Sequence, residues 1–516
     1  MRTNTLLGFV SLTFAALWLG GCGASDSASN ATGTDPGPGA VGISQGGAQD
    51  FGLFRQILEE GKIPGPETID DLGFFAEHKL DFPAPTCGDD VCLHGLLGVM
   101  GNMITGSKCT LIEIGMSSPI DVSKLERPPL HLVIAVDTSG SMQGEPMTYL
   151  KLGLEQMIPA LKAEDHVSLL SFSNSAHVVL DYAEASDAAT LSQAFDALVA
   201  KGSTNLYDGL FSAFSLAEAH LDPSHQNRVM YLSDGKATAG VLNGAKLSSL
   251  ARAYAKKGIG ITTIGVGTDF DVEVMRGLGE IGAGNFYFLE DPKAVKEVFA
   301  DEVKTFLVPV ALDVKLDVNV GSAYRLGGVY GTHGFEPAEG GGQISIPSLF
   351  LAGRTSSEDP IQSGRRGGGG AILIELMPKA GATSSPLAVG DLSFTYKNPL
   401  TGAIVEQSAS IDAPSEEPGA GGYFSDETVE KGFVMLNLYA GFELAARLAS
   451  DGDPRTARRT LEALRPNVKQ WLDAKPDADI ADDLKYVDLF IQNLLVVEQN
   501  VAPYEPADPP EPWPAD

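Results

Sequence analysis

At 516 residues the chain exceeds one ordinary domain, and 43% apolar with 20% charged residues describes a globular protein rather than a disordered one. Lys and Arg total 36 against 67 Asp and Glu, a formal charge of −31, so most of the surface repels polyphosphate backbones and nucleic acid is excluded as a partner. Four cysteines in this length cannot build a disulfide scaffold.

Arg2 and the apolar segment Leu6 to Leu19 open the chain. The segment has about 14 residues, below the roughly 20 that a spanning helix needs, so residues 1–21 read as an export signal. It ends in Leu19-Gly20-Gly21-Cys22, which resembles the lipobox of bacterial lipoproteins. The resemblance implies acylation of Cys22 and attachment to a membrane of the bacterial cell envelope through that lipid. Gly23 in the next position resembles the pattern sorted to the outer membrane, which favours the outer membrane or cell surface. From Gly23 to Asp50 there is no aromatic residue, Lys or Arg, so residues 22–50 are expected to form a flexible tether.

Residues 51–126 predict a small N-terminal accessory module, with a short helix at Phe54, Ile57 and Leu58 that Gly61 and Pro64 end. In residues 127–306 apolar runs at Leu132–Val136, Val167–Phe172, Val229–Leu232, Ile261–Val266 and Phe286–Leu289 alternate with helical patterns. That rhythm predicts an α/β domain with a doubly wound, mostly parallel sheet and its site at the carboxyl ends of the strands.

Residues 307–413 read as a β-rich module. Val310, Leu312, Val314, Leu316, Val318 and Val320 alternate with more polar neighbours, and further runs follow at Ile344–Ile346, Ala371–Leu376 and Leu392–Tyr396. Arg365-Arg366 in a glycine-rich loop is expected to be solvated. Residues 423–500 predict a C-terminal helical module from Phe433, Leu436, Tyr439 and Ala440, then Leu484, Val487, Ile491, Leu494 and Leu495. The acidic, proline-rich residues 501–516 are expected to stay extended.

The first strand of the α/β domain runs into Asp137-Thr138-Ser139-Gly140-Ser141, one carboxylate and two hydroxyls that suit a hard divalent cation such as Mg²⁺, or Mn²⁺ or Ca²⁺. Gly202-Ser203-Thr204-Asn205 precedes the helical pattern Leu206 to Leu221, and Val229–Leu232 ends in Ser233-Asp234-Gly235. A parallel sheet can bring all three loops to one edge. This arrangement of Asp137, Ser139, Ser141, Thr204 and Asp234 resembles the metal-ion-dependent adhesion site of the von Willebrand factor type A domain, over about Arg127 to Phe306. The resemblance implies that the two serines and the threonine bind a metal by their hydroxyls, while the two aspartates ligate it or position its waters. Neutral hydroxyl ligands leave much of the ion's charge unquenched, so the ion would accept an Asp or Glu side chain of another protein.

A finer resemblance rests on Ile57-Leu58-Glu59-Glu60-Gly61-Lys62-Ile63-Pro64-Gly65-Pro66, Phe82-Pro83-Ala84-Pro85 and Arg127-Pro128-Pro129. These look like parts of bacterial exported type A proteins labelled as relatives of calcium-activated chloride channel regulators, and the likeness extends over most of Phe51 to Asn500. No segment after the signal is long and apolar enough to form a spanning helix, so no pore is expected.

Cys87, Cys92 and Cys109, with His94 nearby, fit either a Cys₃His zinc site or one disulfide and a free thiol. Export favours the disulfide, and spacing leaves its pairing open. His131, His166, His177 and His220 have no metal-ligand spacing and are expected at the surface or at caps. The leading function is therefore a non-enzymatic, metal-dependent protein-binding module. The alternatives are a structural or regulatory envelope subunit whose ion only rigidifies loops, and a metal-dependent hydrolase. The hydrolase is disfavoured, since no G-x-S-x-G, H-E-x-x-H or P-loop pattern is present and no histidine falls in the three loops.

Overall fold

The computed structural model describes residues 41–500, apart from 49–50, 122–126, 234–238, 242, 267–270, 282–283, 290–297, 300–308, 353–368, 380–387, 415–417 and 420–421. The signal segment, Cys22, Asp234, Arg365-Arg366 and the tail 501–516 lie outside the described residues.

Seven strands form one sheet in the order Gly47–Ala48, Asn285–Leu289, Ile259–Val266, Gln226–Ser233, Leu130–Asp137, His166–Phe172 and Ala176–Glu184. Neighbours run parallel except for the last, an antiparallel edge strand. The expected doubly wound α/β domain is present, with all five apolar runs inside strands. Side-chain alternation explains its two cores. Leu132, Ile134 and Val136 pack with Met147, Leu150, Leu154 and Phe195 on one face. Val133 and Ala135 pack with Leu206, Leu210, Phe214, Leu247 and Leu278 on the other. Strand Leu130–Asp137 is buried along its whole length, as a central parallel strand covered by helices must be.

A second sheet of eleven strands, among the described residues, is built from antiparallel pairs. Its main path runs Tyr324–Tyr330, Ile372–Pro378, Lys108–Ser118, Val41–Gln45, Gly341–Leu351, Pro309–Val320, Ala388–Lys397 and Ile404–Asp412. Three helices close the chain at Glu427–Ser450, Pro454–Ala474 and Ala478–Asn500. Among the described residues no helix is long and apolar enough to cross a membrane.

Three expected boundaries change. The tether of residues 22–50 ends in structure: Val41–Gln45 bridges strands Lys108–Ser118 and Gly341–Leu351, and Gly47–Ala48 joins the parallel sheet. Composition misses this because the segment is held chiefly by ladder hydrogen bonds, with Ile43 its buried apolar anchor.

The N-terminal and helical regions are not separate modules. Cys92–Gly101 and Lys108–Ser118 belong to the eleven-stranded sheet. Phe51, Phe54 and Phe74 share one core with Phe442, Leu461, Val487 and Phe490. Phe54 packs tilted against Phe442 with ring centres 4.9 Å apart, and Phe51 packs edge-to-face on Phe74 at 5.2 Å. The short helix Gly52–Glu59 cannot bury its apolar face alone and does so against helices nearly 400 residues further along the chain.

The surface expectation fails for His131, which is fully buried. It packs against the Tyr182 ring at 4.9 Å and the His220 ring at 5.6 Å, and His166 stacks on the same tyrosine at 4.1 Å. Tyr182 takes a left-handed backbone conformation with φ 47°.

Candidate metal centre

Asp137 is the last residue of its strand and is fully buried. Its Oδ1 accepts the Ser139 N–H at 2.8 Å and its Oδ2 accepts the Ser233 hydroxyl at 2.6 Å. Both donors are neutral, and no cationic side chain among the described residues bonds to it. Burial pushes the carboxyl above its ordinary range, and the Ser233 and Ser139 hydrogen bonds only partly oppose that.

The turn after Asp137 carries its two hydroxyls together, with Ser139 Oγ 3.0 Å from Ser141 Oγ. Ser139 is buried and Ser141 exposed, so this pair leads from the interior to the surface. The loop bearing Thr204 is tied to that turn through the backbone: Gly140 N–H donates to Gly202 O at 3.0 Å, and Lys201 N–H to Thr138 O. Asn205 caps helix Leu206–Ala219 by accepting the Asp208 N–H at 3.2 Å, so Thr204 sits one residue ahead of the cap. Thr204 is buried, and its carbonyl accepts the Ala239 N–H at 3.1 Å. Asp234 lies outside the described residues, but Ser233 and Ala239 on either side of residues 234–238 reach this centre, Ser233 through its hydroxyl on Asp137 and Ala239 through its bond to Thr204.

Thus Asp137, Ser139, Ser141 and the Thr204 loop lie together at the carboxyl edge of the parallel sheet. Ser233 and Asn174 are additional. Ser233 stands inside the Ser-Asp-Gly loop, and its role needs the neighbouring strand to be seen. Asn174 Oδ1 accepts the Ser203 N–H at 2.7 Å and the Ser203 hydroxyl at 2.9 Å. Nothing in its local sequence announces that contact.

The donor set fits a hard divalent cation: hydroxyl oxygens beside a buried carboxylate whose bonded partners are neutral. Asp137, Ser139, Ser141 and Thr204 would hold the ion, which would supply a Lewis-acidic position for an incoming oxygen anion.

The predicted thiol and zinc residues resolve differently. Cys87 and Cys92 form a disulfide and Cys109 is a free, buried thiol, while His94 Nε2 bonds Ser117 Oγ at 2.7 Å. The Cys₃His alternative is therefore overturned: the disulfide consumes two of its ligands and His94 is engaged elsewhere. Burial, then the nearby Glu375 carboxylate, pushes the Cys109 thiol up to about 12.

A family model described as the von Willebrand factor type A domain matches residues 131–301, and this part of the chain is such a domain. The chain is similar to the uncharacterized protein YfbK of Escherichia coli K12, 26% identical over 284 residues, 53% of this chain and 48% of that protein. It is also similar to human inter-alpha-trypsin inhibitor heavy chain H2, 27% identical over 198 residues, 36% of this chain and 21% of that protein. The chain spans about half or less of the length of these curated relatives. Among solved structures, a von Willebrand factor type A protein from Catenulispora acidiphila aligns with a TM-score of 0.48 at 16% identity, over 75% of this chain and 88% of that one.

Proposed function

We propose that the protein is a metal-dependent protein-binding module, lipid-anchored at a bacterial cell envelope through Cys22. It captures an Asp or Glu side chain of a partner protein through a divalent ion, with Mg²⁺ the favoured ion. The observation that carries this reading is Asp137: a fully buried carboxylate whose bonded donors are the neutral Ser233 hydroxyl and Ser139 amide, beside hydroxyls that reach the surface. An ion there is attracted by the carboxylates, while the neutral hydroxyls leave it electrophilic enough to hold an outside anion. The partner is recognised at contact, since the acidic surface repels anions at long range and salt screens that repulsion beyond about 8–10 Å. The type A domain supplies the rigid sheet.

The test is calorimetry with Mg²⁺ and Mn²⁺ together with a pull-down from envelope extracts, comparing wild type with Asp137→Ala. The reading expects Asp137→Ala to lose ion binding and partner capture while keeping the fold, and EDTA to release the partner from wild type. A partner retained unchanged in EDTA would assign the ion a purely structural role.

A further inference from the structure

A second cluster of metal-ligating side chains lies away from these loops. Asp70 caps the short helix Asp71–Ala76, its Oδ1 accepting the Gly73 N–H at 2.7 Å. Its Oδ2 accepts from Arg276 on helix Val272–Ile281 and stands 3.2 Å from His333 Nε2. Asp71 Oδ1 is 3.0 Å from the same ring nitrogen, and its Oδ2 accepts the Gly331 N–H at 2.6 Å. The other ring nitrogen, Nδ1, is 2.5 Å from Glu280 Oε1. Asp70 and Asp71 are buried, while the His333 side chain is 39% exposed.

One ring nitrogen thus faces two carboxylate oxygens. A single N–H can point squarely at only one of them, whereas a cation serves both. A metal with bonds of about 2.0–2.1 Å in octahedral or tetrahedral geometry sets neighbouring ligands roughly 2.8–3.4 Å apart, and the two distances to Nε2 fall in that range. Glu280 is an independent indication. A carboxylate on the far nitrogen is the outer partner that metal-binding histidines commonly have, fixing the tautomer whose Nε2 lone pair faces the ion.

We propose that His333 Nε2, Asp70 Oδ2 and Asp71 Oδ1 form a second metal site for a borderline divalent transition ion, zinc being the best suited, with Glu280 as the orienting residue. Mixed imidazole and carboxylate ligands select such an ion over magnesium. The ion and Arg276 then balance the carboxylates of Asp70, Asp71 and Glu280, whereas a protonated His333 with Arg276 leaves one negative charge over. Remaining coordination positions fall to water, since His333 and Glu280 line a cleft of about 1080 Å³ between the two sheets. The ion would join three distant parts of the chain: the helix at Asp71, the type A domain through Glu280, and the loop at His333. Glu280 lies just before Asn285, where a parallel strand begins, so this site is at the opposite sheet edge from Asp137.

Zinc titration calorimetry on the metal-stripped Asp137→Ala chain, in excess Mg²⁺, isolates this site from the first. One zinc per chain is expected, with affinity falling at least about 100-fold when His333→Gln is added. Equal zinc affinity and stoichiometry with and without His333→Gln would overturn the proposal. Should His333→Gln not fold, X-ray absorption of zinc-loaded Asp137→Ala decides: a coordination shell with one imidazole and oxygens supports the site, and no retained zinc, or a shell without imidazole, refutes it. The Mg²⁺ test on Asp137 reads a different residue, so either reading can fail alone.

Discussion

Ser233 ends one parallel strand and its hydroxyl donates to Asp137 Oδ2, at the end of the adjacent strand, at 2.6 Å. This bond crosses the strand pair at the sheet's carboxyl edge and orients the carboxylate beside the Ser139 and Ser141 hydroxyls.

Replacing Ser233 with Ala should therefore lower Mn²⁺ and Mg²⁺ affinity by at least about tenfold, the effect of one lost hydrogen bond to a charged acceptor. Circular dichroism should be unchanged. Affinity equal to wild type in calorimetry would mean that Asp137 needs no such support.

Asp165 holds the entrance to the type A domain. Arg127 grips it with two nitrogens, one at 2.8 Å from Oδ1, and the Leu130 and Lys162 amides donate to it at 2.9 and 2.7 Å. Burial works against its charged form, but these donors prevail and the carboxyl stays below its ordinary range. Asp165→Ala strands Arg127 beside unpaired amides and should cost about 3–5 kcal/mol, read from the urea midpoint.

His131 should make the fold acid-sensitive. Burial, followed by the neighbouring His220, His166 and His225, lowers it to about 4, against a smaller opposing pull from Asp181. Its folded value is below the unfolded 6.5, so the unfolded chain binds the extra proton first. This contribution to stability is fully present above 6.5 and is lost as pH falls from 6.5 toward 4. His131→Phe should flatten the fall in melting temperature between pH 7.5 and 5, and an unchanged slope would assign the acid sensitivity elsewhere.

The segment near residue 46 is structural. A Cβ at Gly46 would stand 2.7 Å from the Gly284 carbonyl oxygen, and backbone cannot yield as a side chain does. Gly46→Ala should cost about 1–3 kcal/mol in chemical denaturation. No loss of stability would return this stretch to the role of tether.

Cys109 should resist alkylation. In a chain beginning after Cys22, iodoacetamide at pH 8 should label no thiol in the native protein and one after unfolding without reductant, because Cys87 and Cys92 are bonded to each other. Rapid native labelling would contradict its burial.

The type A domain was legible because its central strand is buried on both faces and reads as an unbroken apolar run at Leu132–Val136, with β-branched runs such as Ile261–Val266 beside it. The candidate ligand loops were legible because they directly follow strands or precede a helix. The edge strand Ala176–Glu184 was not, since its outward residues are largely exposed and lack such a run. Gly47–Ala48 was not, because two residues carry no period.

By itself the sequence determined the alternation of strand and helix, the carboxylate and hydroxyls at the end of the first strand and the apolar faces of the last helices, all of which depend on neighbours within a few turns of chain. Tertiary structure alone decided that residues 41–48 complete two sheets, that Phe54 meets Phe442, and that His333 falls between Asp70, Asp71 and Glu280. Those contacts span tens to hundreds of residues. Their free energy comes from pairing and burial between segments whose local patterns carry no sign of one another.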